Sequence, residues 1–220
     1  MTSTIRDRSR LKQFARGARD SIHAVLLPIK AAMTSCVRTD KRRWRKVAME
    51  VPPWDERNRL IAALIPANSS IVDLGCGAMT LKARLPPGCV YQPCDVVQSA
   101  QEVLLCDFNA GLYPALTRRY DYVICSGVLE YMRDPMDFLT RISEFGSKIL
   151  LSYNPIQSGE SKISRLAKGW LSHLSRPELE QLFRQSGLAF EVVLKRDVAE
   201  LTYQLARINP AQPVPGGQHD

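Results

Sequence analysis

The stretch that most constrains this chain is Ile71-Val72-Asp73-Leu74-Gly75-Cys76-Gly77, an apolar, β-branched run that carries an acid and ends in two glycines one residue apart. Such a run reads as a buried strand breaking into a tight turn, where glycines let the backbone pass close to a bound ligand. A dinucleotide site of the G-x-G-x-x-G kind requires a third glycine near Thr80, and its phosphates tolerate a neighbouring carboxylate poorly. Neither condition holds here. An acid placed before the glycine pair suits a ligand with a cationic amino-acid end and a neutral nucleoside end.

Further signals follow in order. Val90-Tyr91-Gln92-Pro93-Cys94-Asp95 reads as a second strand, its terminal acid eighteen residues beyond Gly77, where a fold of this type needs a carboxylate for two ribose hydroxyls. Leu104-Leu105-Cys106-Asp107-Phe108 reads as a third strand, and Tyr120 to Ser126 as a fourth, followed by Gly127-Val128-Leu129-Glu130-Tyr131-Met132. Lys148 to Tyr153 reads as a fifth. Helices are expected between them at Trp54 to Leu64, Leu81 to Leu85 and Pro135 to Phe145, with Trp54 and Arg57 as possible pocket residues. Ser175-Arg176-Pro177-Glu178 opens another helix with a cap, an early proline and a capping-box acid, and Gly187 closes it. The alternation predicts a βαβ series, and open α/β sheets bind ligands outside the carboxyl ends of their strands. Asp73, Asp95, Asp107 and Ser126 all fall at such ends.

On these residues the chain resembles the class I S-adenosylmethionine-dependent methyltransferases of the small-molecule type, whose first motif often reads hydrophobic-Asp-hydrophobic-Gly-Cys-Gly. The resemblance covers roughly residues 53 to 208. It implies a Rossmann-like, doubly wound α/β sheet of about seven strands, mostly parallel with an antiparallel last strand, and a helical N-terminal extension. Phe190 to Lys195 and Leu201 to Ile208 are then an antiparallel pair. It implies S-adenosylmethionine as cofactor. Gly75 and Gly77 would admit it, Asp73 would engage its amino-acid end, Asp95 its ribose, and Asp107 with the backbone at Phe108 its adenine, with Ser126 completing the site. Glu130 and Tyr131 would face a small-molecule acceptor methylated on oxygen or nitrogen. Two positions depart from the family pattern. Met79 stands where many relatives have a third glycine, so the loop is expected to run farther from the ligand. Tyr131 stands where many small-molecule members carry a histidine base, and an ordinary tyrosine, with a pKa of about 10, orients a substrate better than it deprotonates one.

Charge separates an extension from this body. Residues 1 to 46 hold thirteen Lys/Arg against three Asp, and the remainder seventeen against nineteen acids, so the net charge of +8 belongs to the first segment. The expected organisation is a basic, partly helical extension over 1–52, a methyltransferase domain over 53–208 and a disordered tail over 209–220. Leu11, Phe14, Ala18, Ile22, Val25 and Ile29 recur at helical spacing, interrupted near Pro28. That pattern makes residues 1 to 46 a candidate anchor on an anionic or membrane surface. The Lys41-Arg42-Arg43-Trp44-Arg45-Lys46 run is read as a solvated face rather than a specific nucleic-acid contact, and removing residues 1 to 40 is expected to leave cofactor binding nearly unchanged. Two readings stand beside the small-molecule enzyme: an RNA- or ribosome-directed methyltransferase docking through the basic arm, and a non-catalytic regulator that keeps the fold. The six cysteines and three histidines show no zinc-ligand spacing, so no metal is expected and the thiols are read as reduced packing groups of a cytoplasmic protein. No apolar run reaches the roughly 20 residues of a membrane span.

Overall fold

The computed structural model describes residues 26–47, 55–196 and 200–208. The amphipathic pattern from Leu11 to Val25, the Pro52-Pro53 boundary, Trp54 and the segment 209–220 lie outside these residues. The first described segment is helical over residues 26–36 (α1), and Pro28 lies within this helix rather than ending it. A second helix, α2 (Lys41–Val47), follows, with the Asp40 carboxylate accepting from the Arg43 N–H at its start.

The body alternates as the pattern predicts: α3 (Asp55–Ala62), β1 (Ser70–Leu74), β2 (Val90–Asp95), β3 (Leu104–Leu105), β4 (Tyr120–Ser126), α4 (Pro135–Ile142), β5 (Gly146–Tyr153), α5 (Lys162–Ala167), α6 (Arg176–Gln185), β6 (Leu188–Arg196) and β7 (Glu200–Arg207). The seven strands form one sheet in the order β3-β2-β1-β4-β5-β7-β6. β1 lies parallel to β2 and β4, and β4 parallel to β5, while β7 inserts antiparallel between β5 and β6. The chain therefore has a mostly parallel sheet with an antiparallel last strand.

Period-two alternation sorts the strand residues into two cores. Val72, Leu74, Val123, Cys125, Ile149 and Leu151 pack with Phe138, Leu139 and Ile142 of α4 and Leu179 and Phe183 of α6. Ile71, Tyr122, Ile124 and Leu150 pack with Ile61 and Ala62 of α3, Ile65 and Leu81. Covering both faces is what a parallel sheet requires, and it explains why β1 and β4, apart from one acid in each, read as largely apolar runs rather than alternating ones. Gly146 is needed at the start of β5, where a Cβ would sit 2.7 Å from the Tyr120 carbonyl oxygen.

Several boundaries differ from the sequence reading. The helix expected over Leu81 to Leu85 is a single 3-10 turn, Lys82–Arg84, because Pro86 and Pro87 follow at once. α4 stops at Ile142, short of Phe145. The third strand is only two residues long. Asp107 leaves it to exchange both backbone hydrogen bonds with Leu112, which pulls the chain into a 3-10 turn at Phe108–Ala110. At α6 the Glu178 carboxylate accepts from the Ser175 backbone N–H at 2.7 Å, the contact the capping-box pattern predicts.

Candidate active site

The parallel strands leave their carboxyl ends along one edge of the sheet, and the loops that follow enclose a cavity of about 1320 Å³. The nine residues singled out from the sequence, Asp73, Gly75, Gly77, Asp95, Asp107, Phe108, Ser126, Glu130 and Tyr131, all border this cavity.

β1 ends in a turn held from β2: the Gly75 and Cys76 N–H groups both donate to the Cys94 carbonyl, at 2.8 and 3.1 Å. Gly75 has φ +81°, and a Cβ there would lie 2.6 Å from Val128 Cγ2. Gly77, at φ +51°, has nothing within 4 Å of where a Cβ would be, so its main chain faces open space. Met79 adopts φ +53°. It thus takes the left-handed conformation that a third glycine would adopt freely, at a cost to an L-residue of about 1–2 kcal/mol.

Three carboxylates line the floor, and each is buried. Asp95 accepts from the Gly77 N–H at 2.8 Å and the Val97 N–H at 3.1 Å, which locks the end of β2 to the glycine turn. Burial raises its carboxyl above the usual range against those hydrogen bonds. Asp73 accepts from the Tyr91 hydroxyl at 2.6 Å. Burial pushes its carboxyl up to about 7, opposed by the Tyr91 hydrogen bond and reinforced by the nearby Asp95 charge. Asp107 accepts from Thr39 Oγ1 at 2.7 Å and pairs with Lys41 Nζ at 3.4 Å. The Phe108 ring packs 5.2 Å from both Phe138 and Tyr113, which fixes the turn that carries its backbone.

Ser126 ends β4 and is held from α3: its hydroxyl donates to Asn58 Oδ1 at 2.8 Å, and its carbonyl accepts from Arg57 Nη2 at 3.1 Å. Arg57 also pairs with Glu200 of β7 at 3.4 Å, and its Nε is buried without a partner. Gly127 is glycine for the same arginine, since a Cβ would lie 2.7 Å from Arg57 Nη1.

Glu130 is 1% exposed. Its Oε1 accepts from the Asn154 backbone N–H at 3.0 Å and side-chain amide at 3.1 Å, while Oε2 has no partner. Burial raises its carboxyl, opposed chiefly by the Asn154 amide. The Tyr131 hydroxyl accepts from Trp170 Nε1 at 3.2 Å, its ring meets Trp44 edge-on at 4.6 Å, and the Arg43 guanidinium lies over it at 5.6 Å. Burial pushes its phenol up, which removes it further from the range of a base near neutrality.

The sequence reading missed the wall. Residues 30–46 border the cavity and are tied to the body: Arg133 donates to the Ser35 and Val37 carbonyls, Arg38 to the Asn109 carbonyl, and Arg43 to the Lys168 carbonyl. The lone aromatic in the basic run, Trp44, was the signal available. The expectation that removing residues 1 to 40 leaves cofactor binding nearly unchanged is therefore replaced. Deleting them takes away Thr39, whose hydroxyl donates to Asp107, and the expected result is roughly tenfold weaker binding of S-adenosylhomocysteine, about 1.4 kcal/mol. Calorimetry on full-length and truncated protein, with thermal melts as the folding control, checks this; equal affinities would show that the segment is no part of the cofactor site.

Among the described residues no helix is long and apolar enough to cross a membrane, and no group of His, Cys, Asp and Glu is arranged to hold a metal. Cys76, Cys94, Cys106 and Cys125 are buried free thiols, and burial raises each of them, which leaves them protonated packing groups.

Comparison with solved structures gives this architecture a class. The mitomycin 7-O-methyltransferase MmcR matches with a TM-score of 0.57 at 19% identity, covering 75% of this chain and 60% of that one. An S-adenosylmethionine-dependent methyltransferase from Aquifex aeolicus matches with a TM-score of 0.57 at 10% identity, covering 76% of this chain and 99% of that one. The fold is that of the class I S-adenosylmethionine-dependent methyltransferases. Among curated proteins, the chain is 30% identical over 112 residues to the bifunctional methionine biosynthesis protein MetXA/MetW of Rhodopirellula baltica. That match covers 42% of this chain, and the chain spans only 18% of the length of that relative. No protein-family model matches the chain.

Proposed function

We propose that this protein is an S-adenosylmethionine-dependent methyltransferase acting on a small-molecule acceptor, at an oxygen or nitrogen. The observation that carries the proposal is the convergence of Asp73, Asp95 and Asp107, from the ends of three adjacent strands, with the Gly75–Gly77 turn on one cavity. The residues fit such a cofactor. Gly77 offers main chain facing open space, the buried acids suit a ligand carrying positive charge and hydroxyl and amino donors, and Arg57, its Nε buried without a partner, lines the same cavity. When bound, the cofactor supplies a methyl carbon already activated by its sulfonium.

The protein's own work is then alignment and water exclusion. Asp95 holds the ribose diol, Asp107 and the Phe108 backbone the adenine, Asp73 the ammonium, and the turn and Ser126 shape the bed between them. A cavity of about 1320 Å³ exceeds the roughly 300–1,000 Å³ of an ordinary single-ligand pocket. The surplus leaves room for an acceptor beside Glu130 and Tyr131. Tyr131, fixed by Trp170 and Trp44, orients the acceptor, and the unpartnered Glu130 Oε2 receives its proton. The small-molecule methyltransferase MmcR shares this fold, which supports the choice of acceptor class. Titration of the full-length protein with S-adenosylhomocysteine tests the reading, and the absence of binding to folded protein would end it.

Asp73 gives that binding a pH signature. A folded-state value near 7 means that this group stabilises the folded chain most below its ordinary value of 3.8, a contribution lost as pH rises through 7. An ammonium held against Asp73 favours the ionised form. Binding at about pH 6 should therefore expel close to one proton, with affinity rising toward neutrality. Calorimetry in buffers of different ionisation enthalpy reads the proton count, and Asp73→Asn should abolish it. A count of zero in the unaltered protein would show that the ammonium is held elsewhere.

A further inference from the structure

The floor and the mouth of the cavity carry opposite charge. Asp73, Asp95, Asp107, Glu130 and Glu200, all buried, line the floor, where a cationic cofactor is accommodated. The mouth is cationic. Most of the cations bordering the cavity are already committed: Arg38 to Asn109, Lys41 to Asp107, Arg43 to Lys168, and the buried Arg57 together with Arg196 to Glu200. Lys30 of α1 and Arg42 and Lys46 of α2 are different, for each is exposed, borders the cavity, and makes no side-chain hydrogen bond or ion pair with any described residue. Asp40, the exposed acid bordering the same mouth, is turned to the start of α2, where it accepts from Arg43.

Apolar side chains share this mouth. Met33 is 63% exposed and Val37 44% exposed, both on the cavity border, and the Trp44 ring, which meets Tyr131, borders it too. Exposed apolar groups and exposed cations without a side-chain partner among the described residues border a cavity whose acids, Asp40 apart, are buried, and they form a surface for a ligand that is apolar in its body and negative at one end. Such a ligand could not place its negative group on the floor, because the buried carboxylates there repel it.

We infer that the methyl acceptor is an amphiphilic anion, an aromatic or aliphatic body bearing a carboxylate, phosphate or sulfate. It enters with its body against Met33, Val37 and Trp44 and its negative group held by Lys30, Arg42 and Lys46. This rests on the methyltransferase reading and names the substrate class of that site. The basic segment then acts as an acceptor filter at the cavity mouth rather than as an arm for a macromolecule.

The test uses full-length protein saturated with S-adenosylhomocysteine, and titrates phenyl phosphate and phenol against tryptophan fluorescence, since Trp44 and Trp170 both border the cavity. Phenyl phosphate should bind about tenfold more tightly than phenol at low salt, the difference expected of three partly exposed ion pairs. The preference should fall to within about twofold at high salt and in the combined variant Lys30→Ala, Arg42→Ala, Lys46→Ala, whose affinity for S-adenosylhomocysteine should be unchanged. Equal binding of the two probes, or a preference that survives the triple variant, overturns the inference. Parallel cosedimentation with phosphatidylglycerol vesicles and titration with a single-stranded oligonucleotide separate a free anion from a macromolecular surface. Pelleting or oligonucleotide binding lost in the triple variant, without discrimination between the small probes, would overturn it in favour of a lipid or nucleic-acid surface. S-adenosylhomocysteine is titrated first on the same protein: failure to bind it would strike the methyltransferase reading and the acceptor class with it, whereas its binding without discrimination between the two probes strikes the acceptor class alone.

Discussion

Glu130→Gln should lower the rate of methyl transfer by about 10²–10⁴-fold, the usual worth of a positioned general base, while leaving affinity for S-adenosylhomocysteine within about twofold. Glu130 is buried at the cavity wall with one oxygen committed to Asn154 and the other unpartnered. Glutamine keeps an oxygen able to accept both Asn154 bonds, so the variant removes proton acceptance and little else. A purely structural role predicts a different outcome. Glu130 also ties the wall through its backbone carbonyl, which accepts from the Leu171 and Ser172 N–H groups, and those contacts survive the substitution. The decisive reading is the pH–rate profile with an acceptor found by screening aromatic and aliphatic acids. The unaltered protein should gain rate as pH rises through the Glu130 value, which burial holds above 4.5, and the variant should lose that limb. A variant with normal turnover would leave Glu130 as a packing and positioning group.

For Asp95→Ala the expected loss is in binding: about 1.5–3 kcal/mol, the range for hydrogen bonds to a charged group, or roughly tenfold to a hundredfold in the dissociation constant of S-adenosylhomocysteine. Asp95 has two tasks. Its carboxylate would receive the ribose hydroxyls, and it already receives the Gly77 and Val97 N–H groups that hold the glycine turn in place. Alanine removes both. Asp95→Asn retains one acceptor oxygen for the turn and should therefore lose less affinity than alanine does. The comparison separates ligand contact from turn support: equal losses in the two variants would assign the effect to the charge alone. An unchanged dissociation constant in Asp95→Ala would place the ribose elsewhere in the cavity.

The strands and the positions of the acids were legible in the sequence because both are local properties. A parallel strand covered on both faces reads as a largely apolar run, as at Ile71 to Leu74, where Asp73 is the one break, and at Tyr122 to Cys125, and the acid or glycine near its end marks where the chain leaves the sheet. The chain order of these signals then fixed which ends lie on which edge, so nine residues spread over Asp73 to Tyr131 could be assigned to one cavity before any contact was known. The length of β3 was not legible, because Leu104 to Phe108 is apolar enough for a full strand and only the backbone exchange between Asp107 and Leu112 ends it early.

What tertiary structure alone decided is the company these residues keep. Thr39 reaches Asp107 across 68 positions, and Asn154 reaches Glu130 across 24. Trp44 meets the ring of Tyr131 and, through it, Trp170. No periodicity or spacing encodes such pairs, since they depend on how two separately specified elements pack. The sequence by itself determined a mostly parallel sheet with acids at the ends of its strands and a basic segment ahead of them. The fold decided that the basic segment closes over those acids, because a run of cations that looks solvated in isolation finds carbonyls, an aromatic ring and a buried carboxylate at the mouth of the cavity.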